Sequence, residues 1–62
     1  MSFYNYRTRS TKALENEGFR RLAGPYNQKE EDMLDRLLAD AKRAGKEVSF
    51  SGDHNKLEVW HR

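Results

Sequence analysis

The chain has 62 residues, 12 Lys and Arg against 10 Asp and Glu for a net charge of +2, and no cysteine. So short a chain forms one domain, spanning 1–62, and buries only about 60% of the surface its unfolded form exposes. Lack of cysteine excludes a disulfide framework and a Cys-based metal staple, so the fold must rest on close packing, a second copy or a partner.

No apolar run approaches the roughly 20 residues of a membrane span. The first ten residues, MSFYNYRTRS, lack the apolar core of a signal peptide. These features, with the missing cysteines, point to a cytoplasmic protein without a membrane partner. Charged residues make up 35% of the chain, but seven aromatics and a Leu-rich segment argue against disorder. The charge is uneven. Met1 to Pro25 carries five bases against two acids, Tyr26 to Ala44 has one excess acid, and Gly45 to Arg62 is balanced. An anionic partner should therefore meet the first segment.

Residues 2–8, SFYNYRT, read as a short strand, with Tyr4, Tyr6 and Thr8 on one face and Phe3, Asn5 and Arg7 on the other. Residues 1–9 are also the part least firmly held. Two uses fit these aromatics. Tyr4 and Tyr6, interleaved with Arg7 and Arg9, would stack on bases and neutralise phosphates, or they would complete a small core.

Ser10 caps a short helix, STKALENE, with Leu14 as its core residue and Gly18 as its stop. The following FRRLA, 19–23, is open between two readings: a continued helix, or an extended piece with Phe19 and Leu22 inward. Gly18 inside a helix costs about 1 kcal/mol relative to alanine, which favours the break. Arg20 and Arg21 point outward in either case, to solvent or to a phosphate or carboxylate. Gly24-Pro25 then reads as a turn into the next helix, with Tyr26 as a hydrophobic staple in front of its cap.

The segment from Asn27 to Gly45 is the organising element. Met33, Leu34, Leu37, Leu38, Ala41 and Ala44 recur at spacings of three and four and line one helix face. Asn27 and Glu30 form a capping box, acids crowd the first turns and bases the last, and Gly45 is the left-handed terminator. After Gly45 the period becomes 2. Val48 and Phe50, then Leu57 and Val59, form the inner face of a β-hairpin whose loop of about four residues is Gly52 to Asn55. Trp60 points away from that face. Either a third strand or the N-terminal segment, through Tyr4 or Tyr6, covers it within the fold, or it joins those tyrosines in a protein-contact surface. The layout is β–α–α–β–β, an α+β domain with one main helix on a C-terminal antiparallel hairpin, plus a short N-terminal strand and a short first helix.

Chemistry is sparse. Asp53, His54 and His61 match no metal-ligand spacing. The acid pairs Glu30/Glu31 and Asp32/Asp35 belong to a solvated helix face. No glycine-rich phosphate loop or dinucleotide fingerprint is present. The expectation is a protein with no catalytic residues, no metal and no cofactor.

Two binding roles remain. The first is a small regulator acting by protein–protein contact through Trp60, Tyr4 and Tyr6. It would be of the phage- or plasmid-type accessory kind that inhibits a larger host enzyme, or a homodimer that completes its core across a two-fold axis. The second is nucleic-acid binding by Tyr4, Tyr6, Arg7, Arg9, Lys12, Arg20 and Arg21 on the phosphate backbone. A helix followed by a hairpin resembles the second half of a winged-helix domain, at the level of fold only. A recognition helix should be basic, however, and this one carries a net negative charge.

Overall fold

The structure, a computed structural model, describes residues 6–53 and 55–62. The elements run α1 (Thr11–Asn16), β1 (Arg20–Tyr26), a single 3₁₀ turn (Gln28–Glu30), α2 (Glu31–Arg43), β2 (Val48–Asp53) and β3 (Lys56–His61). The three strands form one antiparallel sheet in the order β1-β3-β2. α2 packs on one face and α1 covers part of the other, giving the expected α+β domain.

Both helices begin and end as their sequences dictate. The Ser10 hydroxyl accepts from Ala13 N–H at 3.2 Å at the start of α1. At its end, Gly18 N–H reaches the Glu15 carbonyl and Phe19 N–H the Leu14 carbonyl, a Schellman motif with φ of 88° at Gly18. The apolar contact that accompanies this motif is present, because Leu14 and Phe19 share a buried cluster. The Asn27–Glu30 capping box forms in full, with Asn27 Oδ1 accepting from Lys29 N–H and Glu30 Oε1 from Asn27 N–H. It opens the 3₁₀ turn that leads into α2. Gly45 closes α2 with a second Schellman pair, Gly45 to Lys42 and Lys46 to Ala41.

Segment 19–23 takes the extended alternative. The strand then runs through Gly24-Pro25, which is therefore part of β1 and not the turn expected of it. β1 is an edge strand with register shifts against β3 between Arg21 and Ala23 and between Ala23 and Tyr26. Proline is tolerated there because an edge N–H is not needed by the ladder. Gly24 sits at φ 112° so close to β3 that a Cβ would lie 2.9 Å from the Leu57 carbonyl oxygen. The bond between Gly24 and Pro25 is cis.

The hairpin is tighter than expected. Pairing continues to Asp53 and Lys56, leaving a two-residue connection in place of a four-residue loop. Asp53 explains this: its Oδ1 accepts from the N–H groups of both Asn55 (2.9 Å) and Lys56 (3.1 Å), so the side chain serves as part of the turn.

The expected N-terminal strand falls partly outside the described residues. Within them it reduces to one parallel bridge, Thr8 to Phe50, with Arg9 N–H donating to the Phe50 carbonyl at 2.8 Å. These contacts cover part of the free edge of β2.

Two cores result. On the α2 side, Leu34, Leu57 and Val59 are fully buried, with Tyr6, Leu22, Tyr26, Leu37, Leu38, Val48 and Phe50 packed around them. On the other side Leu14, Phe19 and Trp60 form a separate buried cluster. Trp60 does point away from the inner face, but it is only 6% exposed. Tyr6 packs in the other cluster, and Tyr4 lies outside the described residues. Among the described residues the cover of Trp60 is Leu14 and Phe19, because α1 folds back over the end of β3. Arg62 secures this lid. Its guanidinium bonds both Glu47 carboxylate oxygens, at 2.8 and 3.2 Å, donates to the Glu17 carbonyl at the end of α1, and lies 4.6 Å from the centre of the Phe19 ring.

Candidate protein-docking face

α2 has two apolar stripes where one broad face was expected. Each residue turns the helix by about 100°. Leu34, Leu38 and Ala41 therefore share the side that faces the sheet, while Met33, Leu37, Asp40 and Ala44 share a neighbouring flank. Burial follows this split. Leu34 and Ala41 are buried, Leu37 and Leu38 are half-buried, and Ala44 is exposed. Met33 is 56% exposed, the one exposed large hydrophobic residue among those described. Met33 and Ala44 thus stand outside the buried core, at the margin of the apolar face.

Beside this flank lies an open groove of about 250 Å³, lined by Leu22, Leu37, Asp40, Ala41, Ala44 and Lys46. The small side chains of Ala41 and Ala44 leave the space. Leu22 closes it from β1, and Asp40 and Lys46 place one charge of each sign at its border. An apolar side chain of a partner could fill this groove while its polar neighbours meet the two charges. Met33, Ala44 and Leu22 were not picked out as site residues from the sequence. The available signal was that Met33 and Ala44 stand at the margin of the apolar arc.

The candidate residues Tyr6, Arg7, Arg9, Lys12, Arg20, Arg21 and Trp60 are spread over several elements. Tyr4 lies outside the described residues. The Tyr6 ring packs 4.6 Å from that of Phe50. Burial, and then the charges of Asp35 and Glu31, raise its phenol above the ordinary value. Arg9 bonds the Glu17 carboxylate. Arg21 donates to the Gly24 carbonyl at 2.7 Å and lies 3.9 Å from the Glu58 carboxylate. Arg7, Lys12 and Arg20 are exposed, before α1, in α1 and at the start of β1 respectively. Trp60 is core, which corrects its assignment to a contact surface: an indole with 6% exposure has almost no area to offer a partner.

Asp53 is occupied by its turn, and His61 stands in the row Arg20–His61–Val48 across the sheet. His54 lies outside the described residues. Among the described residues, no group of three or more His, Asp or Glu is placed to hold a metal ion. Among them, too, no helix is long and apolar enough to cross a membrane. No protein-family model, curated protein or solved structure matches this chain.

Proposed function

We propose that this chain is a small non-enzymatic regulator that acts by protein–protein contact, through the β1-side flank of α2. The observation that carries the reading is the pairing of an exposed Met33 with an apolar groove on the same helix flank. Exposed apolar surface of this kind marks contact sites, and a buried apolar anchor at the centre of an interface supplies most of its energy. The rival reading, a nucleic-acid binder, draws on cations that are partly engaged within the fold. Arg9 is held by Glu17, Arg21 by Gly24 and Glu58, and the Tyr6 ring packs tilted against Phe50.

Two measurements test the proposal together. Labelled duplex DNA and single-stranded RNA are titrated at about 50 mM and about 200 mM salt, where a phosphate binder loses affinity steeply. In parallel, wild-type chain and Met33→Glu are immobilised and passed through a lysate of the source cell. A protein retained by wild type and lost by Met33→Glu, with no nucleic-acid binding at the lower salt, supports the proposal. Nucleic-acid binding that falls steeply with salt and survives Met33→Glu overturns it.

A further inference from the structure

We propose that the occupant of this face is a second copy of the chain, in an isologous dimer whose two α2 helices lie antiparallel. The inference rests on the reading that this flank binds protein, and it names the partner.

A two-fold interface must be self-complementary, presenting both members of each contact on one patch. The flank of α2 does so. Met33 is a projecting apolar side chain, and the groove at Leu37, Asp40, Ala41 and Ala44 is a hollow on the same helix. Met33 and Ala44 are separated by about 16 Å along the axis at 1.5 Å per residue. If the helices run antiparallel with the axis between Leu37 and Asp40, Met33 of each copy meets Ala44 of the other. Leu37 then meets Asp40. Both hollows are filled and no copy of the contact is left open, so the assembly closes at two.

The charges favour the same direction. α2 carries Glu31 and Asp32 in its first turn and Lys42 and Arg43 in its last, and Lys46 follows at the groove border. Antiparallel helices bring the acidic end of each against the basic end of the other, with opposed macrodipoles. A parallel pair would set acid on acid and base on base. Asp40, the one carboxylate lining the groove, comes within one position of Arg36 of the second copy in this register.

The expected dimer is weak. A standard interface takes about 800 Å² from each partner, close to a fifth of the 4470 Å² this chain exposes. One helix flank offers less.

The test is sedimentation equilibrium of the full chain from about 10 μM to about 1 mM, a range that brackets weak association. Far-UV circular dichroism verifies that each variant is folded. Wild type should pass from monomer to dimer within the range. Met33→Glu should remain monomeric. Asp32→Lys and Arg43→Glu, each alone, should dimerise at least about tenfold less tightly, since the two-fold axis doubles every repulsion. Mixed in equal amounts, these two variants should recover a dimer, because each supplies the charge the other lacks. Wild type that stays monomeric at the top of the range overturns the inference, as does a dimer indifferent to Met33→Glu or a mixture that fails to recover. A monomeric wild type whose lysate partner is still lost on Met33→Glu would remove the self-association and keep the protein-contact reading. A monomer that binds DNA with a steep salt slope would remove both.

Discussion

On one side of the sheet, the 13 residues of α2 lie over Val48, Phe50, Leu57 and Val59; on the other, the 6 residues of α1 lie over Trp60. The α2 side is held by area, through a continuous apolar layer of three fully buried residues and seven partly buried ones. The α1 side is held by placement. A helix too short to be stable alone is fixed by a serine cap, a Schellman terminator and the Arg62 bridge to Glu47, Glu17 and Phe19. The same small sheet thus carries one side held mainly by buried area and one held mainly by local contacts.

The comparison is broken most severely at Leu34. Leu34→Ala removes a fully buried leucine from the larger core and should cost about 3 kcal/mol. A domain of 62 residues has roughly 3–9 kcal/mol in total, so the variant should lose about a third or more of its stability and unfold at a clearly lower midpoint by far-UV circular dichroism. Retained cooperative unfolding near the wild-type midpoint would mean that the α2 side does not carry the fold. Leu14→Ala, equally buried but under α1, should cost about 2 kcal/mol. Its signature should also differ. Trp60 emission should shift to the red at denaturant concentrations below the far-UV transition, because the lid opens as a local unit. Coincident transitions would make the two sides one cooperative core.

These two sides were not equally legible beforehand. α2, its capping box and its glycine terminator can be read from residue spacing, because each local signal agrees with the others. α1 is legible for the same reason, through Ser10 and Gly18. β1 is not. Its sequence RRLAGPY has no period of 2 and contains Gly-Pro, so its pairing with β3 rests on bulges that only the neighbouring strand explains. That gap propagates to the site. Without β1 there is no Leu22 wall and no groove, and Met33 and Ala44 look like the edge of one broad core face. The cations are legible along the chain, but their partners are not, because a pair such as Arg9 with Glu17, 8 residues on, is set by how α1 folds. Trp60 was legible as outward from the hairpin face, but its cover by α1 depends on how α1 folds back over β3.

Gly24→Ala sharpens the comparison at a position where the sheet itself, and not either lid, is the target. A Cβ there would lie 2.9 Å from the Leu57 carbonyl oxygen and 3.1 Å from the Glu58 Cα, at a φ of 112°. The expected loss is about 1–3 kcal/mol. Because β1 pairs with β3 between the two cores, circular dichroism and Trp60 emission should fall together. A shift in only one of them would mean that β1 belongs to one side alone.

The smallest effects separate the two sides by pH. On the α1 side, the hydrogen bond from Arg62, and secondarily its charge, hold the Glu47 carboxyl below its ordinary range. In the unfolded chain Glu47 takes up its proton near pH 4.3. The latch therefore contributes fully above that value and is lost as pH falls through the lower folded value. Both side chains are well exposed, 40% for Arg62 and 61% for Glu47, so salt should shrink the effect. On the α2 side the sign reverses. Burial foremost, with Asp35 and Glu31, lifts the Tyr6 phenol. Tyr6 thus contributes fully below the ordinary phenol value near 10 and loses that contribution as pH rises through the higher folded value. Thermal midpoints of wild type, Glu47→Gln and Tyr6→Phe across both limbs test the pair. Glu47→Gln should flatten the acid limb alone, read most sensitively by Trp60, and Tyr6→Phe the alkaline limb alone. If Glu47→Gln left the Trp60 acid response unchanged, the Arg62 bridge would not be what holds α1 against the sheet, and the cap and Schellman contacts would have to hold it unaided.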